Sequence, residues 1–263
     1  MKPFLLNLAI FLLLLTQLPG HSAQPKETES ISDQTIVDAQ NELRRIEQMY
    51  GPDHDEVANA SNSLAFLFHR KGQYQQAAPL YQRALAIYEK KPDSVAGDDH
   101  VAGVLYNLAK LYHDHGQYQQ AVPFYQRTLV FYEKKYGLFD NVYVTDTLNE
   151  FGKLYLDQGQ YQQAEPLYQR ILAIEEKVHG PDHLAVAVAL DQLAALYYDQ
   201  RQYRQAESLY QRALVIFEKK LGPGHINVAK TFEKLARLYN KTARKAEAKA
   251  MEKRAAAIRA KPR

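Results

Sequence analysis

The chain of 263 residues contains no cysteine, and this absence removes several kinds of chemistry. Without thiols there are no disulfides, no thiolate metal ligands, no cysteine nucleophile and no lipid-anchoring cysteine of a bacterial lipoprotein. Catalytic motifs are lacking too, since the sequence has no glycine-rich phosphate loop, no nucleophile elbow and no His-Glu-x-x-His segment. We therefore expect a protein that is not an enzyme and that has no catalytic residues, no cofactor and no bound metal.

The N-terminus has the layout of a secretory signal peptide. Lys2 precedes a nearly continuous apolar run over residues 4–15, and a short polar stretch follows as far as Ala23. Extended to Leu18 the apolar run is still shorter than the ~20 residues that a helix needs to span a bilayer. The layout therefore favours a cleaved signal peptide over an uncleaved anchor or a buried core helix.

From this layout we expect residues 1–23 to be the signal peptide, with cleavage after Ser22 or Ala23. The mature protein is then exported and is periplasmic or secreted. Residues 24–32 are polar and are predicted to be a disordered linker.

A six-residue phrase recurs through the chain at nearly constant intervals. Gly-Gln-Tyr-Gln-Gln-Ala stands at 72–77, 116–121 and 159–164, and Arg-Gln-Tyr-Arg-Gln-Ala stands at 201–206. The starts are 44, 43 and 42 residues apart. A period in this range is typical of a solenoid, in which each structural unit stacks only on its neighbours.

Each copy of the phrase lies between two amphipathic segments. The spacing of their apolar residues places these on one face of a helix. Loops rich in Gly, Pro, Asp and His separate the units, and the Asp before each His is expected to cap the next helix. The loops are at 51–54, 97–100, 180–183 and 222–225, with a degenerate version at 137–140.

These residues resemble the tetratricopeptide repeat. The resemblance rests on Leu-Ala at 64–65, aromatics at 68, 74 and 81, Gly at 72, and Ala at 77 and 84. The longer period and the Gly-Pro-Asp-His loop resemble the 42-residue, kinesin-light-chain-like type found in bacterial exported proteins. In the last unit Lys245 and Glu252 replace the expected Tyr, which suggests a soluble terminal cap.

The resemblance covers about residues 51–260 and implies an all-α fold. We expect a right-handed superhelical α-solenoid of about five antiparallel helix pairs, preceded by an N-terminal capping helix at 33–50. The solenoid is predicted to occupy 51–263, with repeats at approximately 51–92, 97–136, 137–179, 180–221 and 222–260.

The resemblance also implies that the first helix of each unit lines a concave groove. Positions on that face differ between units, whereas the core positions recur, and their mixed charges suggest an extended peptide or a partner protein as the ligand. The sequence thus predicts a non-catalytic interaction scaffold, the alternative being an ordinary solvated face. The groove candidates are Asn62, Phe66, His69, Arg70, Tyr106, Lys110, His113, Asp114, Asn149, Lys153, Asp157, Asp191, Tyr198, Asp199 and Arg237.

Positive charge is concentrated at the C-terminal end. Residues 230–263 contain 12 Lys/Arg and three Glu, a local charge of +9, whereas the rest contain 21 Lys/Arg and 27 Asp/Glu, a charge of −6. Nucleic acid is not expected as a partner, because no aromatic residue follows Tyr239. The alternative function is a peripheral membrane or cell-surface element, attached through this basic helix or an uncleaved N-terminal segment, although a solvated helix is favoured.

Overall fold

The structure is a computed structural model that describes residues 31–90, 97–137 and 142–260. The predicted signal peptide lies outside these residues, and so does the predicted linker except for residues 31 and 32. All regular secondary structure in the described part is helical. The eleven described helices are α1 (Asp33–Tyr50), α2 (Asp55–Arg70), α3 (Tyr74–Glu89), α4 (Gly97–Asp114), α5 (Tyr118–Tyr136), α6 (Val142–Asp157), α7 (Tyr161–His179), α8 (Leu184–Asp199), α9 (Tyr203–Leu221), α10 (Ile226–Lys241) and α11 (Lys245–Arg259).

Histidines, and not the aspartates before them, cap three of the helices. Nδ1 of each accepts a hydrogen bond at 3.2 Å from the backbone N–H two residues later. Asp53 and Asp182 instead form ion pairs with Lys90 and Lys219, at 2.9 and 2.6 Å. The expectation that these aspartates are the caps is therefore wrong. The capping residues are His54, His183 and His225.

A three-residue turn joins the two helices of each pair. In the first turn, the N–H groups of Gly72 and Gln73 donate to carbonyl oxygens of the last turn of α2. This helix-ending pattern requires one residue with a left-handed backbone conformation. Gly72 supplies it with a φ of 72°. Arg201 and Ala243 occupy the same turn position with φ of 61° and 62°, although neither is glycine.

The described chain forms two compact units, one ending at Thr147 and the other beginning at Leu148. In the first unit α2 packs chiefly on α3, and α4 chiefly on α5, while α1 covers α2. Tyr81 and Tyr125 are fully buried beside small residues such as Ala77 and Ala121. Alternation of large and small side chains allows the helices of a pair to approach closely.

The second unit repeats this arrangement, with α8 packed on α9 and α10 on α11. Gly152 of α6 shows how close the approach is, because a Cβ atom there would lie 2.9 Å from a ring carbon of Tyr168 in α7. Only Ala248 and Ala255 of α11 are fully buried. Among the described helices, α11 therefore presents most of its circumference to solvent.

Candidate partner-binding groove

The first unit contains an open pocket along α2 and α4 with a volume of about 910 Å³. Six of the predicted groove residues line it, and so does Asn107 between them. A cavity of this size is large enough for several side chains of a bound segment. The lining residues are Phe66, His69, Arg70, Lys71, Gly72, Tyr74, Asp99, Gly103, Tyr106, Asn107, Lys110, Asp114, Tyr132, Tyr136, Tyr143 and Thr147.

Helical spacing explains why the α4 residues face the pocket together. Gly103, Tyr106, Lys110 and Asp114 are three or four residues apart, so they form one line along the helix. On α2, Phe66, His69 and Arg70 form the opposite side of the pocket. Each side of the pocket is therefore built on a regular helix, which fixes the side chains more firmly than a loop would.

Both carboxylates in the pocket are engaged by groups of the protein itself. Nε2 of His69 donates a hydrogen bond to Oδ2 of Asp114 at 2.9 Å. Asp99 forms an ion pair with Lys135 and accepts a hydrogen bond from the hydroxyl of Tyr136 at 3.0 Å. The acidic groups of the pocket are thus already neutralised in part.

The ionisation of Asp114 depends on this arrangement. Burial would raise the pKa of its carboxyl group, but the hydrogen bond from His69 and the charge of Lys110 outweigh burial. The pKa of Asp114 therefore lies below its ordinary value, and the group is an anion at neutral pH.

Arg70 differs from these groups because it has no such partner. Among the described residues its guanidinium makes no hydrogen bond or ion pair, and the side chain is exposed at the pocket. A guanidinium offers five N–H donors in a plane that matches a carboxylate. Arg70 is consequently the pocket cation best placed to receive an anionic group from a ligand.

Aromatic rings supply the apolar surface of the pocket. At one side Tyr106 meets the buried Tyr125 edge-on, with ring centroids 6.3 Å apart. At the other side Tyr132, Tyr136 and Tyr143 form a tyrosine cluster with centroids 5.2 to 6.3 Å apart. Burial raises the pKa of the Tyr132 hydroxyl, so this ring is neutral throughout the physiological range.

Two predicted groove residues, Asn62 and Asn149, each accept a hydrogen bond from an amide side chain of a neighbouring first helix. In the first unit Nδ2 of Asn107 donates to Oδ1 of Asn62 at 3.1 Å. In the second unit Nε2 of Gln192 donates to Oδ1 of Asn149 at 2.9 Å. These amides join adjacent repeats, so they are less available to a ligand than the sequence alone suggested.

The structure corrects the placement of His113. Its side chain is only 5% exposed and faces α5, where Nδ1 lies 3.5 Å from the hydroxyl of Tyr125. A step of three residues from Lys110 turns a side chain by about 60° in one direction, whereas four residues turn it by about 40° in the other. Asp114 therefore reaches the pocket, and His113 lies in the core.

The remaining predicted residues belong to the second unit. Lys153, Asp157 and Arg237 are exposed, and Asp191 forms an ion pair with Lys234 at 2.5 Å. Tyr198 stands edge-on to Tyr203, with centroids 5.6 Å apart, and burial raises the pKa of the neighbouring Asp199. Their role in binding stays a prediction.

Sequence reasoning missed the pocket residues that lie at helix ends and in the turn after α2. Lys71 comes from that turn, Tyr74 from the start of α3 and Asp99 from the start of α4. The tyrosine cluster comes from the end of α5 and the start of α6. The concentration of three Tyr within twelve positions was the only signal of it in the sequence.

Two kinds of site are absent from the described residues. Nowhere in them do three or more His, Asp or Glu side chains come together as possible ligands of one metal ion. None of the helices between residues 31 and 260 that the structure describes has both the length and the apolar composition of a membrane span.

Comparison with protein families identifies the repeat. A family model described as tetratricopeptide repeat matches residues 34–90, 143–219 and 191–261, and a second model with this description matches 101–141. No curated protein sequence matches the chain significantly.

Solved structures with the same architecture are numerous. BtubC (BKLC) from P. vanneervenii is 23% identical with a TM-score of 0.68, over 90% of this chain and 96% of that one. A Podosopora anserina protein with kinesin-light-chain-type, nearly identical TPR-like repeats is 24% identical with a TM-score of 0.66, over 79% and 97%. A tetratricopeptide repeat protein from Parabacteroides merdae is 18% identical with a TM-score of 0.58, over 94% and 76%. The predicted all-α fold, with helices packed pairwise as in a tetratricopeptide α-solenoid, is confirmed.

Proposed function

Because this chain belongs to the tetratricopeptide repeat family, whose members are non-catalytic scaffolds, we propose that it binds an extended peptide segment of a partner protein. The binding site is the pocket of the first unit, between α2 and α4. The segment has mixed charge and contributes at least one acidic side chain.

The unpaired guanidinium of Arg70 carries this proposal. An exposed cation one helical turn from Phe66, which also lines the pocket, suits a segment in which an acidic residue lies next to an apolar one. Lys110 adds positive charge on the same face, whereas Asp99 and Asp114 are occupied by groups of the protein. The pocket therefore favours anionic side chains at one end without being uniformly basic.

A peptide-display selection on the purified chain tests the proposal. Selected peptides should be enriched in acidic residues, and the double variant Arg70→Ala, Lys110→Ala should bind them at least ~10-fold more weakly, as expected when charge-assisted hydrogen bonds are lost. Its Tm should fall only slightly, because Arg70 is exposed and the half-buried Lys110 loses a charge contact with Asp114 but no core packing. The measurement is fluorescence anisotropy of labelled peptides.

A charge-matched control distinguishes the pocket from general electrostatics. Lys134→Ala with Lys220→Ala removes the same charge from exposed positions on the second helices and should leave peptide affinity unchanged. If both double variants weakened peptide affinity equally, the pocket would not be the binding site. The same conclusion would follow if the peptides bound the Arg70→Ala, Lys110→Ala variant as tightly as the original chain.

We also propose that the protein is exported, on the strength of the signal-peptide layout of residues 1–23. Expression in a bacterium followed by N-terminal sequencing of the exported fraction should give a chain that begins at Ala23 or Gln24. Recovery of only the uncleaved chain, retained with the membrane, contradicts cleavage and supports an N-terminal anchor.

A further inference from the structure

The outer face of α11 carries a row of lysines that the groove does not involve. Lys245, Lys249 and Lys253 follow one another at four-residue intervals and are all exposed, so they line one side of the helix. This lysine row spans about 12 Å along the helix axis.

The lysine row stands where earlier second helices bind the next repeat. In two of those helices a glutamine donates a hydrogen bond to a tyrosine hydroxyl of the next repeat. Gln169 donates to Tyr197 at 3.0 Å, and Gln211 donates to Tyr239 at 3.4 Å. Lys253 occupies the position that corresponds to Gln211, 42 residues further on. The face that elsewhere receives a helix is therefore converted to positive charge in α11.

Lysine also replaces the residues found in α9 at the two other positions of the row. Glu207 accepts a hydrogen bond from the hydroxyl of Tyr239 at 3.0 Å, and Lys249 stands at the corresponding place in α11. Lys245 stands at the place of Tyr203, which is an aromatic residue in every earlier copy of the turn. An uncharged polar face would also have kept this side of α11 soluble, so solubility alone does not require three lysines.

The two arginines of α11 and the arginine that precedes it are paired, but the lysine row is not. Arg244, Arg254 and Arg259 each form ion pairs with glutamates, at 2.5 to 3.4 Å. Among the described residues, none of the three lysines makes an ion pair or a side-chain hydrogen bond. The lysine row therefore contributes three unpaired positive charges to the net +9 of residues 230–263.

The chemistry of the face selects among anionic partners. Single-stranded nucleic acid needs aromatic rings on which bases stack, and α11 contains none. A tight protein interface needs a large side chain that anchors in a pocket, whereas the exposed residues between the lysines are two alanines and two glutamates, Ala246, Glu247, Ala250 and Glu252. An anionic lipid surface needs only a cluster of lysines that can lie against it.

We propose that the lysine row of α11 docks the protein electrostatically on a bilayer surface that contains anionic phospholipid. The association is peripheral and salt-sensitive, since it involves charge and no inserted apolar side chain. It is independent of the peptide pocket, because no residue of the row lines that pocket.

Vesicle co-sedimentation of the full chain tests the proposal. The probes are vesicles of phosphatidylcholine alone and of phosphatidylcholine with phosphatidylglycerol, so that an N-terminal apolar segment contributes equally to both. We expect stronger binding to the anionic vesicles, and the triple variant Lys245→Gln, Lys249→Gln, Lys253→Gln should lose about 100-fold of that difference. Raising the salt to ~1 M, where the screening length is about 3 Å, should abolish it as well.

The control is a triple variant that removes the same charge elsewhere, Lys134→Gln, Lys177→Gln, Lys220→Gln, all of them exposed. It should bind anionic vesicles like the original chain, and circular dichroism should show that all variants remain helical. Equal binding to both kinds of vesicle, equal loss in the two triple variants, or binding to duplex DNA without binding to anionic vesicles would overturn the proposal.

Discussion

Nε2 of His69 and Oδ2 of Asp114 lie 2.9 Å apart, although the two residues belong to successive repeats and are 45 positions apart in the chain. The hydrogen bond joins the C-terminal turns of α2 and α4 at the wall of the pocket. It therefore links the stacking of two repeats to the electrostatics of the candidate binding site.

Removal of this donor should change the titration of Asp114. His69→Phe keeps a ring in place but removes the N–H that stabilises the Asp114 carboxylate. The effect of burial is then less well balanced, and the pKa of Asp114 should rise. A depressed pKa stabilises the folded state above the unfolded-state pKa and loses that effect as the pH falls through the folded-state pKa. The variant should therefore lose stability at neutral pH and depend less steeply on acid pH.

Carboxyl ¹³C shifts of Asp114, followed by NMR against pH, provide the measurement. Asp199 of the second unit is the internal control, because burial raises its pKa without a histidine partner and the substitution should not affect it. An Asp114 that titrates identically in the original chain and in His69→Phe would contradict the role assigned to the hydrogen bond.

The turn residues Arg201 and Ala243 should be sites where glycine stabilises the protein. Both have left-handed φ values, which cost a residue with a Cβ atom roughly 1 kcal/mol, and both are exposed. The larger flexibility of glycine in the unfolded chain offsets part of this gain. Arg201→Gly and Ala243→Gly should each raise the free energy of unfolding by about 0.5 kcal/mol in urea denaturation.

Gly72→Ala provides the reverse test at the same turn position. A Cβ atom there has no neighbour within 4 Å, so only the backbone conformation opposes it, and the substitution should cost about 1 kcal/mol. The account of the turn would fail if Gly72→Ala were neutral while the two glycine substitutions destabilised the protein.

The sequence predicts the helices of this protein well because its signals are local. Apolar spacing of three and four residues, and a turn near each repeated phrase, decide where a helix begins and ends without any knowledge of the tertiary structure. The all-α fold of paired helices follows from them, whereas the right-handed superhelix stays a prediction. Helical spacing also brings Phe66, Tyr106 and Lys110 to the lining of one pocket, although their part in binding stays a prediction.

Contacts between repeats are the part that the sequence does not determine. Whether Arg70 is unpaired, or His69 meets Asp114, depends on how far one helix pair is rotated on the next, and no local pattern gives that rotation. His113 illustrates the limit, since a difference of about 100° between adjacent helical positions separates the buried His113 from the pocket residue Asp114.

A matched pair of glycines tests the close packing of α6 on α7. In an open helical site, Gly→Ala should stabilise by roughly 0.5–1 kcal/mol because alanine favours the helix. Gly103→Ala should show this gain, since a Cβ atom there has no neighbour within 4 Å. Gly152→Ala should instead destabilise by about 1 kcal/mol, because the new Cβ atom would lie 2.9 Å from the buried ring of Tyr168.

Urea denaturation of the two variants gives the comparison directly. If Gly152→Ala were as stable as Gly103→Ala, the ring of Tyr168 would have to move without cost, and the close helix approach would not be a packing constraint.

The loop at 180–183 allows the capping residue to be identified by substitution. Nδ1 of His183 accepts the N–H of Ala185 at 3.2 Å, so His183→Ala should cost about 1 kcal/mol through loss of the helix cap. His183→Asn should recover most of this cost, because the side-chain oxygen of asparagine accepts the same kind of bond. Both variants lose the stacking of His183 on His179, so the difference between them isolates the cap.

Asp182→Ala is the control from the same loop. Its carboxylate forms an ion pair with Lys219, but both side chains are more than half exposed, so the Tm should not change measurably. A larger loss of Tm in Asp182→Ala than in His183→Ala would restore the aspartate as the cap. The opposite order would establish His183, and not Asp182, as the N-cap of α8.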